Sequence, residues 1–301
     1  MMNNANSAAT PAKNTKGKAS QIIGKTVIYL ILVLYAIIII FPFSIVLVTS
    51  LKTWQSSSAL RFEWFPEDGF TLEGYKIIFS YKANPHNTLP TLIRSFINTI
   101  LYIVPPTIIG LFTSSIAAYA FEKLKFRAKN IMYSVLLATM MIPGTITIAP
   151  QFSIYDAIQW VDTPLPLMIP GMFGAAACVF FMRQFFSGIP DSLIEAAKLD
   201  GEGYVGIFFR IMVPLSVPAL LAQGLLGFIG GYNDYFNPLI YLQSSEIQTL
   251  QVALRTFSTV YVKKPSIVMA GTVVALVPML IIYFIAQDYF IEGIAASGLK
   301  S

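Results

Sequence analysis

Residues 26–50 read TVIYLILVLYAIIIIFPFSIVLVTS and contain no charged side chain. A helix needs roughly 20 apolar residues to cross the hydrocarbon core of a bilayer, so this run is long enough to span one. It is too long for the apolar part of a removable signal, and no small-residue cleavage site follows it. Working outward, five comparable runs occur at 92–121, 131–152, 165–186, 213–241 and 267–289, the last fading into Gln287 and Asp288. The expected fold is all-α: a polytopic membrane protein with about six transmembrane helices. Residues 1–20 are rich in Asn, Ala, Ser, Thr and Lys without an apolar period, which predicts a disordered cytoplasmic tail. Residues 21–301 then form the transmembrane domain.

Composition supports this reading. The chain of 301 residues is 55% hydrophobic and 12% charged, with a mean hydropathy of +0.67. Soluble domains carry roughly 25% charged residues, so this chain lacks the charge to cover itself in water. Its net charge of +5 sits in short gaps between apolar runs, a pattern of membrane flanks rather than of a nucleic-acid-binding stripe. With one cysteine, Cys178, and one histidine, His86, neither an internal disulfide framework nor a cysteine or histidine metal cluster can form within the chain.

Lysine and arginine near span ends set orientation. With the N-terminus cytoplasmic, the inner segments hold Lys13, Lys16, Lys18, Lys25, Lys123, Lys125, Arg127, Lys129, Arg183, Lys198, Arg210 and Lys300, which is 12 of 20 basic residues. Both termini are therefore expected in the cytoplasm. Pro42, Pro105, Pro106, Pro143, Pro170 and Pro278 fall inside spans, where each removes a backbone donor and predicts a kink or break. Packing geometry explains any one of them; kinks in five spans suggest a bundle that curves or moves. The outer linkers at 52–91 and 243–266 are long, and the first carries Trp54, Trp64 and Phe65. A short amphipathic helix and a turn at the membrane surface are expected there.

The most informative connection lies between the fourth and fifth spans, where residues 188–201 read GIPDSLIEAAKLDG. Ser192 followed by Glu195 has capping-box spacing, with Pro190 just ahead. A two-turn helix through Leu199 follows, ended by a left-handed Gly201 or Gly203. A short, small-faced helix exposed on the cytoplasmic side is either a knob received by another protein or a plain surface turn.

The stretch Glu195-Ala196-Ala197, then Gly201, then Ile211 and Pro214 resembles the cytoplasmic EAA loop of permeases in binding-protein-dependent ABC importers. Val213 stands where leucine is usual. Residues 208–218 (FFRIMVPLSVP), Met141-Ile142-Pro143, Tyr232-Asn233-Asp234 and Tyr289-Phe290-Ile291-Glu292-Gly293 resemble the carbohydrate-importing branch, in particular its shorter permease of the maltose type. The resemblance implies a short coupling helix in the loop between helices 4 and 5, with Glu195, Ala196, Ala197, Asp200 and Gly201 as ATPase-coupling residues. It also implies partners: a second permease subunit, two ATP-binding subunits holding ATP and Mg, and an extracellular solute-binding protein. No cofactor is expected in this chain, which lacks the G-x-x-x-x-G-K-[ST] phosphate loop, and no nucleic acid.

Substrate contacts are less sharply marked. Asp234 is an ionisable group at membrane depth, costly there and a functional candidate by default. Asn98, Asn233, Tyr235 and Asn237 are the accompanying candidates for a sugar pathway, which needs hydrogen bonds and aromatic faces. Asp234 equally suits an outer interface with a neighbouring chain. A non-sugar solute and a secondary transporter are the alternatives; the latter wants mid-membrane carboxylates and internal repeats, and Asp234 is the one clear intramembrane acid. No catalytic cluster suggests an enzyme.

Overall fold

The computed structural model describes residues 15–298, with side-chain surroundings from 24 to 287. Helix α1 (Thr15–Ser50) is followed by α2 (Trp54–Ser57), α3 (Glu73–Ser80) and α4 (Thr91–Lys123). Next come α5 (Lys129–Thr139), α6 (Gly144–Ala157), α7 (Leu165–Met172), α8 (Ala176–Ser187) and α9 (Asp191–Leu199). The chain continues with α10 (Tyr204–Ile207), a π-helical turn (Phe208–Met212), α11 (Val213–Leu215), α12 (Val217–Asn233), α13 (Phe236–Tyr241), α14 (Leu250–Val260) and α15 (Pro265–Gly298). Among the described residues no strand is formed.

Four segments cross as single apolar stretches: Gly24–Ser50, Thr91–Lys123, Leu165–Ser187 and Pro265–Gln287. Two bent pairs supply the rest. Lys129–Thr139 and Gly144–Ala157 meet at 95°, and Tyr204–Leu215 and Val217–Asn233 at 76°. The crossings number six when each bent pair is taken as one.

The expected spans need several corrections. The run 131–152 is not one rod: it breaks at residues 140–143, where Pro143 leads into α6 with an extended backbone. The fifth crossing is helical from Tyr204, nine residues before the expected 213. Its early part folds because Ile207, Phe208 and Met212 are buried in the core. The bend lies between Pro214 and Pro218, each of which removes a ladder donor. Between them the Ser216 N–H is shared by the carbonyls of Met212 and Val213. The same crossing stops at Asn233 and restarts at Phe236. By contrast Pro42, Pro105, Pro106 and Pro278 lie inside continuous helices, whereas the helix holding Pro170 ends at Met172 and the expected span 165–186 breaks at 173–175 before α8. Polarity at Gln287 does not end α15. Helix α1 includes residues 15–20 of the expected disordered tail; residues 1–14 lie outside the described part.

Helix α4 is the central post. Its 33 residues span about 50 Å at 1.5 Å per residue, and it packs against α7, α8, α12 and α14. Between larger residues toward its two ends, such as Leu92 and Phe121, its buried face carries many small and hydroxylic residues: Ser95, Thr99, Gly110, Ser114, Ser115 and Ala118. Small residues let membrane helices approach closely where lipid offers no hydrophobic drive. Thr99 and Ser115 donate to carbonyls four residues back at 2.7 Å, which satisfies their hydroxyls locally. Gly224, Gly227 and Gly231 present a matching stripe on α12, where an added β-carbon would meet Leu111, Thr107 or Ile103 of α4 at 3.0–3.3 Å. Helix α1 packs on α15 and leaves its apolar side chains from Val27 to Phe43 largely exposed, as a lipid-facing helix does.

Two cores cap the post. Tyr119, Phe121, Met182, Phe186, Ile194 and Phe208 form one, beside α9. Ile78, Leu92, Tyr232, Leu250, Phe257 and Ile267 form the other, at the opposite end. There the two long linkers meet, Ser58 Oγ donating to the Lys263 carbonyl at 3.0 Å. Their short helices are α2 and α3 in the first and α14 in the second, and α3 buries Gly74 and Ile78 as an amphipathic helix should. Since α1 runs toward this far end and α15 runs away from it, Thr15 and Gly298 both lie at the α9 end.

Candidate functional site

Helix α9 is nine residues long, and its sequence divides by face. Ile194 and Ala197 point inward, 5% and 7% exposed, into the core built by Phe121, Phe186 and Phe208. Leu193, Glu195, Ala196, Lys198, Leu199 and Asp200 point outward. Leu199 is 89% exposed, with Tyr204 and Val205 of α10 continuing the apolar strip. The two alanines of the motif thus have different jobs: Ala197 closes the core, and Ala196 keeps the outer face low.

The helix does not start as the capping-box spacing predicts. Pro190 occupies the cap position and makes no side-chain cap bond, and Ser192 already lies in the helix. The first-turn acid is Asp191, well placed against the positive end of the macrodipole. Its carboxylate takes a 2.6 Å ion pair from Lys123 Nζ. The hydrogen bond and charge of Lys123 hold the Asp191 carboxyl below the usual range, with lesser help from Lys125 and Lys198.

The exit is as expected. Gly201 adopts φ +86°, the Glu202 N–H donates to the Ala197 carbonyl at 2.9 Å, and the Gly201 N–H donates to the Lys198 carbonyl at 3.1 Å. These paired bonds are a Schellman motif, which satisfies the last carbonyls and demands a left-handed residue. Lys198 sits in the last turn, complementing the dipole, with its ammonium 5.4 Å from the Tyr204 ring.

The surroundings of α9 are braced by charge. Glu122 pairs with Arg183 at 2.9 Å, and the Arg183 guanidinium lies 3.9 Å over the Tyr133 ring. Lys129 donates to the carbonyls of Glu122 and Leu124 at 3.0 and 3.1 Å, pinning the start of α5 to the end of α4. Glu202 and Arg210 form a further ion pair. Sequence reasoning missed Tyr119, Glu122 and Lys123 as partners of this region. Their contacts lie 61 to 85 residues away along the chain, so no local spacing signals them.

At the opposite end the substrate candidates separate. Asp234 Oδ1 accepts from the N–H groups of Phe236 and Asn237 at 3.1 and 3.2 Å. Its Oδ2 accepts from Asn237 Nδ2 at 2.8 Å, so it caps the restarted helix α13. It also borders a cavity of about 140 Å³ with Tyr102, Thr107, Gly231 and Thr249. Thr249, absent from the expected set, is 4% exposed and its Oγ1 has no hydrogen-bond partner. Asn233 is exposed and bonds the Ile229 carbonyl of its own helix; Tyr235 is half-buried at the break. Asn98 is engaged elsewhere, donating to the carbonyls of Glu246 and Gln248 at 2.9 and 3.1 Å. Among the described residues no group of three or more His, Cys, Asp or Glu converges to hold a metal ion.

A multi-crossing helical bundle that presents one short, partly apolar helix beyond its spans has the build of a transport permease. The family described as "Binding-protein-dependent transport system inner membrane component" matches residues 110–295, and the chain belongs to it. It is an inner-membrane, multi-pass protein of a transport family, not of an enzyme family. The arabinooligosaccharides transport system permease protein AraQ of Halalkalibacterium halodurans is 34% identical over 68% of this chain and 73% of its own length. The inner membrane ABC transporter permease protein YcjP of Escherichia coli is 30% identical over 89% and 94%. The lactose transport system permease protein LacG of Rhizobium radiobacter is 31% identical over 67% and 74%. In fold, the chain matches the crystal structure of a bacterial ABC transporter for import of the acidic polysaccharide alginate. That match has a TM-score of 0.73 at 24% identity, covering 93% of this chain and all of that one.

Proposed function

We propose that this chain forms half of the translocation pathway for a sugar or oligosaccharide in an ATP-driven importer, with α9 as its contact to the ATP-hydrolysing subunits. The observation that carries the reading is α9 itself. It is ended by the Gly201 Schellman motif, packed on its inner face through Ile194 and Ala197, and open on its outer face at Leu199. Glu195, Ala196, Ala197, Asp200 and Gly201 are the coupling residues: Gly201 ends the helix, Ala196 permits close approach, and Glu195 and Asp200 offer carboxylates to a basic partner surface.

On this reading the α9 end and both termini are cytoplasmic, and the linkers 51–90 and 242–264 face the outside. A second permease completes the pathway, two ATP-binding subunits supply hydrolysis with ATP and Mg, and a solute-binding protein delivers the sugar to the outer end. The names of the relatives above, with that of the sulfoquinovosyl glycerol permease SmoH, support a carbohydrate solute. Asp234, Tyr235, Asn237, Asn233 and Asn98 are the proposed pathway residues. The cavity beside Asp234 supports the first of these; Asn98, committed to two carbonyls, would act by holding the segment that leads into α14.

The test is purification from native membranes in mild detergent, followed by uptake in proteoliposomes. Stoichiometric ATP-binding subunits and uptake that requires ATP are expected. Uptake that persists without ATP, driven by an ion gradient, would overturn the importer reading in favour of a secondary transporter.

A further inference from the structure

Helix α9 is joined covalently to α8 on one side and to α10 on the other, yet its polar fastenings run to a third helix. Lys123, in the last turn of α4, has a side chain only 6% exposed. Its ammonium donates to the Ile189 carbonyl at 2.7 Å and to Asp191 Oδ1 at 2.6 Å, gripping the entrance to α9. Tyr119, four residues earlier on the same face of α4, is 4% exposed, and its hydroxyl donates to the Tyr204 carbonyl at 3.2 Å, gripping the exit. Between the two grips, Ile194 and Ala197 pack into the core that Ala118, Tyr119 and Phe121 of α4 help to build.

We infer that Tyr119 and Lys123 are positioning residues that clamp α9 to α4 at both ends, so that a displacement of α9 is delivered to α4 as one rigid body. This rests on the reading of α9 as the contact to the ATP-hydrolysing subunits. Rigidity follows from the geometry: if a grip opens, the buried Lys123 ammonium or the buried Tyr119 hydroxyl loses an acceptor, which is costly, so neither grip slips without breaking. A single grip would leave α9 free to pivot; two, about one helical turn apart on α4, fix its direction as well as its distance. Because α4 is the post against which α7, α8, α12 and α14 pack, it is the element able to pass that movement along the bundle.

The test uses the whole complex with its partner subunits in nanodiscs, in a Cys178→Ala background. Spin labels are placed at Leu199→Cys on α9 and Ile116→Cys on α4, both exposed positions. Pulsed dipolar spectroscopy then compares the nucleotide-free state with the ATP–vanadate state. The clamp predicts one narrow distance that is the same in both states. Lys123→Met with Tyr119→Phe should broaden it and make it depend on nucleotide, while Lys123→Arg keeps it narrow. Tyr119→Phe retains the ring packed on Phe208, so assembly is preserved, and thermal unfolding of the labelled complexes verifies it. A wild-type distance that already shifts with nucleotide, or a double variant that stays narrow and invariant, would overturn the clamp. Cross-linking of Leu199→Cys to an ATP-binding subunit is read on unlabelled samples of the same complex. Its absence would instead count against the coupling role of α9, so the two failures are distinguishable.

Discussion

Gly110 of α4 faces the backbone carbonyl of Gly171 in α7 more closely than any β-carbon could tolerate. The central post and the fourth crossing therefore meet through bare backbone. Neither side can give, because the obstacle is a peptide oxygen rather than the end of a flexible side chain. Gly110→Ala should cost about 1–3 kcal/mol through overpacking. It should appear as a lowered thermal midpoint of the detergent-solubilised protein. Gly230 of α12 meets nothing within 4 Å, and Gly230→Ala should leave that midpoint unchanged or raise it, since alanine favours the helix.

Gly201 also has open space around it, so its requirement is conformational. At φ +86° a β-carbon costs about 1–2 kcal/mol. Gly201→Ala should unwind the last turn of α9, with faster amide exchange at Gly201 and Glu202, and Gly201→Asn should do so less. Equal effects of the two substitutions would show that side-chain size, not handedness, controls the site.

Asp162 ties the connection before α7 to the end of α13. Its own N–H donates to the Tyr241 carbonyl at 2.8 Å, and its carboxylate accepts from the Ser244 hydroxyl and from the N–H groups of Ser244 and Gln243. The Ser244 hydroxyl first, then its backbone N–H, hold the Asp162 carboxyl below its ordinary value. A depressed folded-state value means the contribution is complete above the unfolded carboxylate range, about 3.9, and is lost as pH falls through the folded value. The thermal midpoint of Asp162→Asn should therefore lie below that of the unsubstituted protein at pH 7, and the gap should close as pH falls below about 4. A gap independent of pH would remove charge from the explanation.

Asn98 donates to two carbonyls of the segment leading into α14. Loss of a net hydrogen bond costs about 0.5–1.5 kcal/mol, and orphaned buried carbonyls raise it. Asn98→Ala should lower the thermal midpoint and increase proteolysis within residues 243–249. A change in solute concentration dependence without loss of stability would make Asn98 a direct solute contact.

Much of the bundle was readable because lipid imposes a simple demand. Charge-free runs such as 26–50 must be helices, since no water is available to satisfy an open backbone. Gly201 was readable for a similar reason, a helix end needing a left-handed residue three positions after Lys198. Bends were not readable from proline alone. Pro105 and Pro106 sit in an unbroken α4, whereas Pro143 opens a 95° turn; neighbouring helices decide whether freed carbonyls can be accommodated. Asp234 was visible as an intramembrane acid, but its service as the cap of α13 depends on a chain break that hydropathy does not show. The Ser192 spacing misled because Pro190 takes the cap position and starts the helix at Asp191, two residues before a Ser192 cap would. Lys123 and Tyr119 were invisible as partners of α9, their acceptors being set by tertiary packing.

The coupling role of α9 requires that its end of the bundle meet the ATP-hydrolysing subunits. The most direct measurement is photocross-linking in native membranes, with a benzophenone attached at Leu199→Cys on α9 or at Val262→Cys at the opposite end, where Val262 is 71% exposed. The prediction is an adduct with an ATP-binding subunit from Leu199 and none from Val262. Adducts from Val262, or none from Leu199 in membranes that retain ATP-dependent uptake, would contradict it.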